Sequence, residues 1–391
     1  MTEDSRTNSR QYRAGRYLRQ PAGYRAFIPA PLPPDPPIQL DGKLQALLSA
    51  ADRALGRLDG SIQTLPNPDL FVFMYVRKEA VLSSQIEGTQ SSLQDVLAAE
   101  AKVLGATLPQ DVDEVVNYVA AMNHGLQRLH ELPVSLRLLK EIHAQLLNGV
   151  RGGRLEPGEF RRTQNWIGPG GCTLAEASFV PPPPEEVIPS LGKLEQFIHD
   201  EPDLPQLIQI GLVHAQFETI HPFLDGNGRI GRLLITFLLC QRGILIKPVL
   251  YLSHFFKQYR TEYYQLLQDV RDKGNWEDWL AFFLRGITEV SGEATETARR
   301  ILLMREQHRA AVTAELGRGA ANGHLVLEHL FRRPIVAVAE VKELTGTTYA
   351  AANNIISRLV RLEILTEITG QKRNRLFRYE PYIRIFSDPG N

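Results

Sequence analysis

The stretch His214-Ala-Gln-Phe-Glu-Thr-Ile-His-Pro-Phe-Leu-Asp-Gly-Asn-Gly-Arg-Ile-Gly-Arg-Leu-Leu-Ile-Thr-Phe-Leu-Leu-Cys240 decides how the chain is read. Pro222 cannot continue the amphipathic helix before it and keeps His221 out of the helical region, so that helix should end near Ile220. A second helix is expected from about Arg229. Between them Asp225, Gly226, Asn227 and Gly228 fill a tight loop. Two glycines spaced by one residue let backbone N–H groups converge, and the positive end of the next helix points at the same spot. Such a loop binds an anion. Arg229 and Arg232, three residues apart, are placed to flank a polyphosphate. Asp225 offers a carboxylate beside that anion, which suffices for Mg²⁺ because Mg²⁺ is commonly held by one or two carboxylates plus substrate phosphates. His221, on the opposite lip, has an ordinary pKa of about 6.5, which suits a general base.

A lone histidine or a lone Asp-Gly turn is more often structural. A base, a metal ligand, an anion cradle and two arginines gathered between His221 and Arg232 are much harder to explain as packing, and together they imply phosphoryl or nucleotidyl transfer. The chain has no G-x-x-x-x-G-K-[S/T] segment, so a P-loop nucleotidase is not supported.

Outward from this segment the pattern is mainly α-helical. At 391 residues the chain exceeds the size at which one core stops growing, so several domains are expected. We divide it into an extended proline-rich arm (1–40), a helical region (41–110), a catalytic core (111–292), a helical linker (293–321) and a C-terminal module (322–391). Leu44, Leu47, Leu48, Ala51, Leu55 and Leu58 carry the spacing of an amphipathic helix. A second helix is expected over 69–86 with Gly88 as its cap, and Ser92 with Asp95 reads as a capping box opening DVLAAEAKVL. The glycines and prolines between Arg151 and Pro184 predict a β-hairpin or extended flap.

The last seventy residues read as helix, helix-turn-helix and hairpin, the winged-helix order, so this module is α+β. Residues 324–386 hold ten Lys/Arg against six Asp/Glu, with Lys372, Arg373, Arg375 and Arg378 at the wing and Thr347, Thr348, Tyr349, Asn353 and Asn354 opening the recognition helix. DNA is therefore one candidate partner, and a dimerisation or protein-docking surface is the other. Net charge is zero, which gives no overall hint of nucleic acid or membrane. The longest apolar run, Leu233 to Cys240, is too short to span a bilayer. Two isolated cysteines, Cys172 and Cys240, and the lack of an apolar leader point to a cytoplasmic protein. His143 and His214 lie among apolar helical neighbours without a third ligand and read as structural rather than as a zinc site. Tyr263, Tyr264, Asn275 and Trp276 are candidates for an adenine wall, although aromatics at such spacing are commonly core.

The segment His221-Pro-Phe-Leu-Asp-Gly-Asn-Gly-Arg-Ile-Gly-Arg232 matches the Fic-family signature HPFx[D/E]GNGRxxR at every specified position. The chain resembles that family over roughly residues 70–290, including IHAQLL, FRRTQNWIG…FVPPPP, YLSHFF…YYQLLQDV and NWEDWL. The resemblance implies a helical Fic core with a flap, and transfer of AMP from ATP to a Tyr, Ser or Thr hydroxyl of a protein, itself included. It implies that His221 deprotonates the hydroxyl and Asp225 holds Mg²⁺. Asn227 with the backbone of Gly226 and Gly228 would cradle the α-phosphate, and Arg229 and Arg232 would hold the β- and γ-phosphates. Phe223 would anchor the loop, and the flap would align the target by strand-like pairing near Thr163, Gln164, Asn165, Trp166 and Ile167.

Ser83-Ser-Gln-Ile-Glu87-Gly88 further resembles the family's inhibitory motif [S/T]xxxE[G/N]. Ser83 and Glu87, four residues apart, share a helix face. By resemblance Glu87 pairs with Arg232 and denies it to the γ-phosphate. Helical relatives commonly dimerise, so the resemblance makes a homodimer one candidate state, which the sequence does not fix. Two alternatives stay open at this point: removal of AMP by the same site, and a nucleotide-sensing, DNA-binding regulator.

Overall fold

The structure is a computed structural model that describes residues 12–63, 68–101, 108–200, 203–371 and 373–386. It is mostly helical. Helix α1 (Gly42–Gln63) turns Leu44, Ala51, Leu55 and Leu58 inward and lies along α11 (Trp276–Leu316). Helix α2 (Asp69–Ile86) is buried at the centre between α1's neighbours and α4 (Val112–Arg128). Its buried Glu79 accepts from the Ser253 N–H (3.1 Å) and the Tyr118 hydroxyl (3.3 Å), which pins the helix from two sides. Helix α3 (Leu93–Glu100) opens with the capping box of Ser92 and Asp95. The end of DVLAAEAKVL, from residue 102, lies outside the described residues.

The functional centre is built on α5 (Leu136–Leu146), α6 (Pro184–His199), α7 (Gln206–Ile220) and α8 (Asn227–Gln241), closed by α9 (Ser253–Gln258) and α10 (Arg260–Lys273). The helix after the loop starts at Asn227, two residues before the position expected. α7 and α8 bury nearly every side chain, as helices in the middle of a core must.

Three features correct or narrow the sequence reading. The segment drawn as an extended arm contains a two-stranded antiparallel hairpin, β1 (Gly15–Arg19) with β2 (Arg25–Pro29). Of the two forms expected between Arg151 and Pro184, the extended flap is found rather than a regular hairpin: Ile167 and Phe179 form a single antiparallel bridge, with one 3₁₀ turn at Leu174–Glu176 between them. Helix α11 runs unbroken through residue 292, where core and linker were to separate. Gly292 costs a helix interior about 1 kcal/mol, and the burial of Val290, Ser291 and Ala294 on either side outweighs it.

Beyond α11, a 3₁₀ turn at Gly317–Gly319 leads into α12 (Ala320–Arg332), β3 (Ile335–Ala337), α13 (Val338–Thr345) and α14 (Tyr349–Arg361). Strands β4 (Thr366–Glu367) and β5 (Leu376–Arg378) complete a small sheet in the order β3-β5-β4, and α15 (Glu380–Phe386) follows. This module rests on α2, where the Phe386 ring meets Tyr75 edge-on at 5.4 Å between centroids. Among the described residues no helix is long and apolar enough to cross a membrane.

Candidate active site

Helix α7 ends at His221, whose backbone is left-handed (φ 49°, ψ 60°). A residue before proline avoids the right-handed helical region, and here it escapes to a conformation that costs a non-glycine residue about 1–3 kcal/mol. Something must hold it there. Buried Arg161 does, donating from Nε to the His221 carbonyl (2.9 Å) and from Nη2 to the carbonyls of Pro182 (2.6 Å) and Ile220 (3.3 Å). Asn165 adds Nδ2 contacts to the carbonyls of His221 (3.2 Å) and Phe223 (2.9 Å).

The loop is also fixed from within. Asn227 accepts from the Phe223 N–H and donates to the Phe223 carbonyl, both at 2.8 Å. Its side chain is thereby spent on loop shape, and what it offers an anion is its backbone N–H. The Phe223 ring is fully buried and stacks on His143 at 3.7 Å between centroids. The Nδ1 of His143 accepts from the Gly158 N–H (2.8 Å), so Nε2 carries the proton and donates to the Asp225 carbonyl (3.0 Å). Burial pushes this imidazole down to about 4, which keeps it neutral. His214 is likewise satisfied, donating from Nδ1 to the Gly231 carbonyl (2.9 Å) and accepting from Tyr263 (2.9 Å).

With Gly226 at φ 80°, α8 begins abruptly. The N–H groups of Asn227, Gly228 and Arg229 have no acceptor among the described residues, as expected for the first turn of a helix. His221, Gly228, Arg232 and Glu87 line one cleft of about 880 Å³, large enough for a nucleotide. Trp166, Ile167 and Phe179 of the flap form one wall, and Tyr263, Tyr264, Gln268 and Arg271 of α10 form the other. The His221 ring is half-buried, with Nδ1 enclosed and unpartnered. Burial first, then the cations Arg271 and Arg161, push its pKa down to about 3, so the ring is neutral at physiological pH.

Several placements correct the sequence reading. Arg229 does not face this cleft: its guanidinium is 1% exposed, 3.2 Å from Glu114 of α4 and 3.6 Å from Asp225. Two carboxylates drew it away, and Glu114 lies too far off in sequence to have been paired with it. Of the flap positions, Trp166 and Ile167 face the cleft, whereas Gln164 and Asn165 turn toward the protein and join its hydrogen bonding, and Thr163 is exposed with its carbonyl accepting from Arg161. Asn275 and Trp276 lie at the start of α11, away from the cleft wall that Tyr263 and Tyr264 help to form. In the C-terminal module Arg375 is bonded to Asn353 (2.6 Å) and Arg378 to Glu380 (2.5 Å), leaving Arg373 exposed; Lys372 lies outside the described residues.

The end of α2 approaches the same cleft. Gly88 at φ 100° terminates the helix with Thr89 N–H to Ser84 O and Gly88 N–H to Gln85 O, a Schellman motif. That fixes Glu87 as the last residue of the turn. Arg232 donates to its Oε1 at 2.6 Å, and to the Ser83 hydroxyl (2.8 Å) and carbonyl (2.9 Å). Burial alone would raise the Glu87 carboxyl, but the Arg232 cation outweighs it and holds the group below the usual carboxylate range. Glu218, one turn before His221, was not foreseen. It is 6% exposed, its Oε1 has no partner among the described residues, and burial pushes it up to about 7.

Residues 45–127 match the model of the Fic/DOC family N-terminal region, and residues 133–239 match that of the Fic/DOC family itself. The chain belongs to the Fic/DOC family. Its architecture is shared with a Fic family protein from Desulfovibrio desulfuricans G20, with a TM-score of 0.59 at 18% identity over 88% of this chain and 97% of that one. A Fic domain containing signaling protein from Bacteroides thetaiotaomicron is similar at a TM-score of 0.50 and 19% identity, over 66% of this chain and 95% of that one. The protein adenylyltransferase Fic of Drosophila grimshawi is 31% identical over 189 residues, which span 47% of this chain and 35% of that protein. The counterpart in Culex quinquefasciatus is 31% identical over 205 residues, 50% of this chain and 37% of that protein. The match thus spans about a third of these relatives' length.

Proposed function

We propose that this Fic protein transfers AMP from ATP to a Tyr, Ser or Thr hydroxyl of a protein, and that Glu87 restrains it. One observation carries the reading: His221, Gly228 at the open N-terminus of α8, and Arg232 border a single cleft, and Arg232 is occupied by Glu87. The neutral imidazole of His221 takes the hydroxyl proton as the oxygen attacks the α-phosphorus. The new P–O bond replaces the bond to the β-phosphate oxygen, and pyrophosphate leaves. The first N–H groups of α8 face the charge that builds on the α-phosphate. Arg232, once Glu87 withdraws, is the cation for the terminal phosphates.

The residues fit Mg²⁺ bound together with the nucleotide. Asp225 is part-exposed beside the cleft rather than among the residues that line it, its Oδ2 has no hydrogen-bond partner among the described residues, and only a glycine at position 152 leaves that oxygen room. No cluster of three or more protein ligands exists among the described residues, so the nucleotide phosphates would have to complete the shell. When bound, the ion supplies charge neutralisation on the phosphates. ATP and a hydroxyl-bearing protein are therefore the partners of this reading.

The test is incubation with Mg²⁺ and ATP labelled at the α-phosphate, with and without cell lysate, for wild type, Glu87→Gly and His221→Ala. Protein label that rises in Glu87→Gly and disappears in His221→Ala is the expected result. No label in any variant, alongside measurable ATP binding, would sink the transfer reading. Release of AMP from pre-labelled protein by wild type but not by Glu87→Gly would assign the reverse reaction.

A further inference from the structure

The N-terminal hairpin is built onto the flap. The Phe27 N–H donates to the Val180 carbonyl (2.9 Å), its ring packs against Phe179 (6.0 Å), and the Tyr24 hydroxyl donates to Gln164 Oε1 (3.1 Å). Whatever binds the hairpin is thus held at a fixed position beside the cleft. The strand register sets Arg19 directly opposite Arg25, and both are exposed. Like charges facing each other across strands destabilise a sheet. Neither Arg19 nor Arg25 pairs with a carboxylate among the described residues, whereas Arg16, three positions before Arg19, is exposed on the other face of the hairpin. Arg13, by contrast, is buried and bound to Glu277 at 3.0 Å. Residues 12–34 contain no Asp or Glu, and Asp272, the acid nearest in the hairpin's contacts, accepts from Tyr17 (3.0 Å). The chain as a whole is neutral, so this is a local excess of positive charge that its own acids leave unanswered.

We propose that the hairpin is a docking surface for an acidic segment of the protein target. The segment lies across Arg19 and Arg25, while a hydroxyl-bearing stretch of the same polypeptide reaches along Ile167 and Phe179 toward His221. Separating the two contacts explains how the cleft can be general for hydroxyls while selection is made outside it: charge complementarity sets on-rate and partner choice more than raw affinity. This inference rests on the reading of the cleft as a protein-modifying site.

The experiment reads binding without ATP, so docking is judged apart from catalysis. Fluorescent peptides of one sequence, flanked by five glutamates or by five lysines, are titrated onto the full chain by anisotropy at low and high salt. The acidic peptide should bind more tightly than the basic one and weaken with salt. Arg19→Glu/Arg25→Glu should weaken it by roughly tenfold, as expected for two lost and reversed exposed ion pairs. The single variant Arg19→Glu converts the like-charge pair into an attractive one, so it should bind the acidic peptide less well while melting no lower than wild type. Equal binding of both peptides, or an acidic preference that survives the double variant, would overturn the proposal and leave the arginines as guards of an open strand edge. Tighter binding of a single-stranded oligonucleotide than of the acidic peptide would overturn it in favour of nucleic acid. Peptide docking that holds while AMP transfer is absent would instead remove the reaction and keep the surface.

Discussion

The loop from His221 to Arg232 and the flap that faces it border the same cleft, yet they are held by opposite means. Beside the flap's Arg161 and Asn165 at His221, the loop carries constraints of its own: Asn227 closes on Phe223 four residues back, Gly226 supplies the positive φ, and the first turn of α8 follows at once. The flap has one antiparallel bridge and a few local hydrogen bonds of its own, among them Trp166 Nε1 to the Cys172 carbonyl and Gln164 to the Pro181 carbonyl, and further supports come from elsewhere in the chain. Phe27 and Tyr24 reach it from the N-terminal hairpin, and Arg271 lies over Phe179 at 3.8 Å from α10. The difference suggests a rigid reacting centre opposite a wall whose placement is adjustable by parts of the fold remote in sequence. It also separates variants that should damage chemistry from those that should change only how the protein substrate is received.

Arg161 joins the two regions, so replacing it should have the largest effect. In Arg161→Met the carbonyls of His221, Ile220 and Pro182 lose their donor, and the strained turn at His221 can relax. Misplacement of a reacting group by about 1 Å costs on the order of 100-fold in rate. AMP transfer should fall by at least that factor in a protein whose circular dichroism is unchanged. A loss smaller than about fivefold would mean that the loop keeps its shape without the flap, sharpening the contrast beyond what the hydrogen bonds imply.

Next comes Glu87→Gly, which touches the loop's far end and leaves the flap alone. Couplings between sites are typically worth 1–3 kcal/mol, so freeing Arg232 should raise transfer by about 5- to 150-fold. The pH dependence has a definite sign. Glu87 is held below its unfolded value, so the pair is intact above the ordinary carboxylate range and is lost only as pH falls through that lowered value. The ratio of variant to wild-type rates should therefore stay flat from about pH 6 to 8. A ratio that shrinks as pH drops through that window would point to Glu218, which titrates near 7, as a second group acting on Arg232.

A third variant, His143→Ala, acts from beneath the loop. Its Nε2–H fixes the Asp225 carbonyl, one bond network away from the carboxylate proposed for Mg²⁺. Partners of this kind are worth about 10- to 100-fold in metal affinity. Calorimetric titration of Mg²⁺ with ATP on the Glu87→Gly background should show weaker binding by that factor, with the flap's response to protein substrate unchanged.

The same contrast explains what could be read in the sequence. The loop, the Gly88 cap and the Ser92–Asp95 box were legible because each is set by residues within a few positions of one another. Arg229 was misdirected because Glu114, which claims it, lies on another helix. Glu218 escaped notice because only the packing of α7 against α8 shows that its carboxyl faces the cleft without a partner. The β1–β2 hairpin was hidden by the prolines that follow it, and nothing local links Phe27 to Val180. The continuous α11 was broken in the reading at Gly292, where tertiary burial overrides a weak helix former.

The smallest expected effect is also the cleanest test of the flap's dependence on distant residues. Tyr24→Phe removes one hydroxyl and with it the hydrogen bond to Gln164, leaving the aromatic ring in place. A hydrogen bond of this kind is worth about 0.5–1.5 kcal/mol net, which is about two- to tenfold. Because Gln164 also donates to the Pro181 carbonyl, loosening it shifts the strand that carries Phe179 but not the loop that carries His221. The KM for a protein substrate should rise within that range while the KM for ATP stays constant. If both rise together, the flap and the loop move as one body, and the hairpin supports the chemistry rather than the reception of the target. If neither moves, Phe27 alone fixes the flap, and Phe27→Ala is the variant that should then separate the two constants.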